Sequence, residues 1–61
     1  MTKTTTNNEI TSVTGLTGFI KSVTFNHKTL IMTVAYANEV EIVDPAEDWK
    51  WWDTLASLYF C

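Results

Sequence analysis

Leu30-Ile31-Met32-Thr33-Val34-Ala35-Tyr36-Ala37-Asn38-Glu39-Val40-Glu41-Ile42-Val43-Asp44-Pro45-Ala46-Glu47 is the stretch on which the fold turns. Its first part has the two-residue period of a strand: Leu30, Met32, Val34 and Tyr36 point one way, and Ile31, Thr33 and Ala35 the other. Ala37-Asn38 supplies a tight reversal, without the glycine that usually marks one. Val40 and Ile42 then continue an apolar face, with Glu39, Glu41 and Val43 opposite. Asp44-Pro45-Ala46-Glu47 closes the stretch with helix-start chemistry. It offers an acceptor at the N-cap, a proline at the first helical position and a carboxylate three residues past the cap. Asp48 adds negative charge where the helix dipole is positive.

Working outward towards the C-terminus, the spacing predicts a helix from Pro45 to about Phe60. At about 100° per residue, Leu58, Trp51, Leu55, Tyr59, Trp52, Ala56, Trp49 and Phe60 share an arc of roughly 200°. A helix on a small sheet needs an apolar stripe only somewhat wider than about 100°. Leu55, Tyr59, Trp52 and Ala56 satisfy that need, leaving Trp51 with Leu58 on one flank and Trp49 with Phe60 on the other. The flanks are expected either to be covered by Leu16 and Val13 from upstream or to meet another chain. The second reading is preferred, because Trp and Tyr are enriched at binding hot spots and a contiguous exposed aromatic patch is rare on a monomer.

Working back towards the N-terminus, Phe19, Lys21, Val23 and Phe25 alternate with Ile20, Ser22 and Thr24, and Asn26-His27-Lys28 makes a polar break of hairpin length. Residues 1–18 read differently. Seven of them are threonine, with Asn7, Asn8, Gly15 and Gly18 among the rest and only Ile10, Val13 and Leu16 as larger apolar groups. They are expected to form a flexible arm, or one that orders only on assembly. Residues 19–61 then make a single domain of the α+β class: a three-stranded antiparallel meander packed by one C-terminal helix.

Residues 20–55 resemble the small β-β-β-α domains called KTSC, through Leu30/Met32/Val34/Tyr36, a tight turn, Val40/Ile42, and Val43-Asp44-Pro45 opening a helix. The glycine usual in that family's second turn is absent, as is its tail containing serine and glycine. The resemblance implies a topology and no function.

Composition narrows the function. Sixty-one residues support one small domain, which buries only about 60% of the surface its unfolded chain exposes. Hydrophobic residues make up 46% and charged residues 18%, so the chain folds. Cys61 is the only cysteine and His27 the only histidine, which leaves neither a disulfide nor a Cys/His metal set. Asp44-Pro45-Ala46-Glu47-Asp48 lacks the ligand spacing and glycine of a calcium loop. No nucleophile motif or phosphate-cradling glycine loop is present. No cofactor and no catalytic activity are expected. A net charge of −3, with four lysines and no arginine, disfavours nucleic acid. No run is long and apolar enough for a membrane span, no signal peptide is expected, and a cytoplasmic setting is the default.

The charges are segregated. Six of the seven acids fall within residues 39–53, beside the single base Lys50, whereas Lys3, Lys21 and Lys28 face only Glu9 upstream. The expected function is therefore a small adaptor or inhibitor docking on a larger protein and self-associating, of the accessory kind that viruses and mobile elements encode. Its expected interaction residues are Trp49, Trp51, Trp52, Leu58 and Phe60, with Glu39, Glu41 and Asp48 supplying acidic steering. Two other readings stand beside it: a particle or tail component whose Thr-rich arm pairs with a neighbour's sheet edge, and a weak nucleic-acid module stacking bases on Trp49, Trp51 or Trp52.

Overall fold

A computed structural model describes residues 2–60. Five antiparallel strands form one sheet in chain order: β1 (Lys3–Asn7), β2 (Ile10–Thr14), β3 (Ile20–Asn26), β4 (Met32–Tyr36) and β5 (Val40–Val43). One helix, α1 (Trp49–Tyr59), follows. The α+β class and the C-terminal helix agree with the sequence reading, but the sheet has five strands instead of three. The two extra strands come from residues 1–18, the segment expected to be an arm.

Threonine is the physical reason. It is β-branched, favours the extended backbone, and pairs well with threonine or serine across strands. Thr5, Ser12, Thr24 and Thr33 stand side by side on four successive strands, a ladder of hydroxyls that ends at Ile42 on β5. On the other face, Thr6 bonds Thr11 at 3.3 Å, and Thr11 Oγ1 meets His27 Nε2 at 2.6 Å. Asn8 closes the β1–β2 hairpin with φ +52°, a left-handed conformation that asparagine tolerates. The His27 amide donates to the Glu9 carbonyl at 2.7 Å, which ties this turn to the β3–β4 turn.

The helix covers one face, over β3 to β5. Val23, Met32, Val34, Val43 and Leu55 are buried together, with Leu16, Ile20, Phe25, Tyr36, Trp51, Trp52, Ala56, Tyr59 and Phe60 packed against them. Val13, also buried, stands beside Val23 in register. A register shift between Ile20 and Ser22 sets Ile20 opposite Tyr36 and leaves Phe19 92% exposed. The chain turns between β3 and β4 around Asn26, whose Oδ1 accepts from the Lys28 and Thr29 amides at 2.9 and 3.0 Å.

Two local expectations are corrected. First, α1 begins one turn later than the sequence predicts. Asp44 does cap a turn, accepting from the Ala46 amide at 2.9 Å on Oδ1 and from the Asp48 amide at 2.8 Å on its carbonyl. Asp48 then leaves helical geometry, at φ −134° and ψ 65°, and serves as the N-cap itself, its side chain accepting from the Trp51 amide at 3.4 Å. The sequence holds two cap signals four residues apart, and the second one opens the helix. Second, the faces of β5 are reversed. Glu41 pairs with Val34 and Val43 with Met32, so these two face the helix, whereas Val40 and Ile42 lie on the uncovered face. A two-residue period gives alternation but not which set is buried.

Candidate protein-interaction surface

The aromatic arc of α1 divides into a packed part and a free part. Leu55 is buried, and Trp51, Trp52, Ala56, Tyr59 and Phe60 pack on the core. Trp49 and Leu58 remain 63% and 66% exposed, on opposite margins of the arc. The flanks expected to lack cover are thus covered at Trp51 and Phe60 and open at Trp49 and Leu58. Phe60 is received by Phe25, 5.6 Å between ring centroids, and Phe25 also meets Trp52 edge-on at 5.9 Å. Lys50 Nζ lies 5.7 Å from the Trp49 ring centroid, within cation–π range.

Both packed indoles are held through their nitrogens. Trp51 Nε1 donates to Glu41 Oε1 at 3.2 Å, and Trp52 Nε1 donates to the Leu30 carbonyl at 2.6 Å. Glu41 Oε1 also accepts from the Tyr36 hydroxyl at 2.8 Å. That hydrogen bond, helped by partial burial and by the charges of Glu41 and Glu39, raises the pKa of the Tyr36 phenol above its ordinary 10.0. Glu41, expected on a steering surface, is instead the acceptor that joins α1 to β4 and β5. Asp48 is occupied as the N-cap. Among the described residues, Glu39 is the one of the three acids whose side chain makes no hydrogen bond or ion pair; it lies in the exposed turn before β5, where its carbonyl accepts from the Tyr36 amide at 2.8 Å.

The uncovered face of the sheet was not singled out by sequence reasoning. Across β1 to β4 it is mostly hydroxyl and amide, including Thr5, Asn7, Ser12, Ser22, Thr24 and Thr33. At β5 it becomes apolar: Val40 is 61% and Ile42 63% exposed, and Val40 pairs with Ala35. β5 is also an outer strand of the sheet, with one side unpaired among the described residues. Exposed apolar side chains therefore coincide with free backbone donors and acceptors, the combination that recruits another strand. The signal was present in the sequence as Val40/Ile42 out of phase with Glu41/Val43, but reading it required knowing which pair faces the helix.

A shallow open groove of about 450 Å³ lies at one end of the sheet, lined by Gly18, Phe19, Lys21, Tyr36, Asn38 and Glu39 among others. Its charges are the opposite pair Lys21 and Glu39, and nothing encloses it. Among the described residues no helix is long and apolar enough to cross a membrane. No family model matches the chain, and no curated protein or solved structure matches it either.

Proposed function

We propose that this chain is a small, non-enzymatic protein-interaction module that docks on another polypeptide chiefly through the edge of β5. The supporting observation is the coincidence of Val40 and Ile42, both more than three-fifths exposed, with the unpaired side of an outer strand. An incoming strand satisfies the free backbone groups and lays its side chains over the two aliphatic ones. Trp49 and Leu58 supply further contact area on α1. A self-associating adaptor or inhibitor of a larger cytoplasmic protein, of the viral accessory kind, remains the preferred role within this proposal. Trp49 and Leu58 on α1 are left for the larger protein when β5 is taken by a copy of the chain.

The assembly-component reading draws support from β1, a threonine-rich outer strand at the far edge of the same sheet. The base-stacking reading loses most of its basis, since the indoles of Trp51 and Trp52 pack inward and donate hydrogen bonds within the fold. A photoreactive phenylalanine analogue placed at position 42, compared with one at exposed Asp53, tests the proposal in the cell that makes the protein. Protein adducts are expected from position 42 and not from 53. Equal yields from both positions, or none from 42, would refute docking at β5.

A further inference from the structure

We infer that the strand received by β5 is β1 of a second copy of this chain, added head to tail so that the sheet continues from one molecule into the next. This rests on the docking reading above and names its partner. The meander turns the segregation of charge along the sequence into segregation across the sheet. At one side lies β1, whose only charged side chain is that of Lys3; Lys28 sits in the β3–β4 turn, 4.0 Å from Glu9, and adds nothing to this edge. At the other lie Glu39, Glu41 and Asp44, around β5.

Three edge pairings between copies are conceivable, and charge separates them. Joining β5 to β5 brings the acidic edges together, and joining β1 to β1 brings the two Lys3 side chains together. Joining β1 to β5 alone sets opposite charges against each other. Strands β1 and β5 run in the same direction within the sheet, since both are odd members of an antiparallel meander. Repeating the molecule with its helix on the same face therefore pairs them in parallel, with Lys3 level with Val40 and one residue from Glu39 in the turn before β5. On the uncovered face, Thr5 then joins the Val40/Ile42 strip, and the hydroxyl row continues into the next molecule.

Such contact is heterologous, so it propagates instead of closing at two copies. A single strand pair falls short of the roughly 1,200 Å² of a stable interface, so association is reversible and grows with concentration.

Sedimentation equilibrium of the purified chain, at ~0.01 M and at ~1 M salt, reads this directly, because charge attraction reaches about 30 Å in the first and about 3 Å in the second. The expected result is an average mass that climbs with concentration at low salt, passes two chains without a plateau, and falls back to one chain at high salt. Lys3→Glu and Glu39→Lys, both at exposed positions, are each expected to stay monomeric at low salt. An equimolar mixture of the two is expected to regain the climb, because each restores the other's complementary edge. A monomer at every low-salt concentration, a plateau at the dimer, single variants that associate like wild type, or a mixture that stays monomeric each overturn the inference.

The photoreactive group at position 42 keeps this separate from the reading beneath it. Adducts to residues 3–7 of a second copy support the inference. Adducts to a different protein overturn it while leaving docking at β5 intact, and the absence of any adduct removes both.

Discussion

The indole nitrogen of Trp52 donates to the main-chain carbonyl of Leu30 across 2.6 Å, and Leu30 holds a left-handed backbone, φ +68°, as it does so. Leu30 is one of two non-glycine residues with positive φ among those described, the other being Asn8. For asparagine the conformation is ordinary. For leucine it costs about 1–2 kcal/mol. It is the last residue of the β3–β4 turn, its amide bonded to the Asn26 carbonyl at 2.7 Å, and its conformation leaves its carbonyl as the acceptor for the helix.

Leu30→Gly is accordingly expected to raise stability by about 0.5–1 kcal/mol, since glycine takes positive φ freely and the leucine side chain is already 48% exposed. Trp52→Phe keeps the ring's packing on Phe25 and loses the hydrogen bond, at an expected cost of about 1 kcal/mol plus the smaller ring's lost contacts. Urea unfolding followed by circular dichroism checks both; destabilisation by the glycine would show that leucine's contacts outweigh its backbone strain.

Glu41 is a single acceptor shared by two donors. Glu41→Ala leaves the Tyr36 hydroxyl and the Trp51 indole without their partner and is expected to destabilise by about 1–3 kcal/mol. Glu41→Gln keeps a carbonyl acceptor and should lose less than half of that. Equal losses would mean that the charge, and not the acceptor, holds the helix down.

Stability should also fall in alkali. The folded state holds the Tyr36 phenol above its unfolded value near 10, so the protonated form is the one the fold favours. Its contribution is complete below pH 10 and is lost as pH rises through the folded-state value. Subtracting the stability profile of Tyr36→Phe from that of wild type isolates this group, and the difference should be flat below pH 10 and shrink above it. A difference that grows with alkali would reverse the assigned direction.

Val13 belongs to the segment that composition marks as an arm, yet it is 3% exposed. Val13→Ala should cost about 1–2 kcal/mol, comparable to a core position, whereas Thr4→Ala on exposed β1 should cost well under that. Two indistinguishable, near-zero effects in thermal unfolding would return residues 1–18 to the status of a loose arm.

Legibility in the sequence followed the strength of the burial pattern. β3, β4 and the body of α1 were readable because Val23, Met32, Val34 and Leu55 repeat at strand or helix spacing and are fully buried. β1 and β2 were not, because their stabilisation comes from β-branched hydroxyl side chains whose polarity resembles that of a linker. The start of α1 was misplaced by one turn because Asp44 and Asp48 both have cap chemistry and only tertiary packing selects between them. Of the expected interaction residues, Trp49, Leu58 and Glu39 are on the surface as the wheel and the charge pattern suggest. Trp51, Trp52 and Phe60 pack against the core on β3 to β5, because Glu41 takes the Trp51 indole hydrogen and Phe25 receives the rings of Trp52 and Phe60, contacts that a helical wheel does not contain.

Every strand in this sheet touches only the strands that precede and follow it in the chain, and each connection is short. No pairing therefore waits for distant parts of the polypeptide to find one another, and the entropy lost on closing each hairpin is small. Folding should be rapid for a β-rich chain, starting where Val23 and Val34 meet and spreading outward by one ribbon at a time, with the threonine strands free to zip on last.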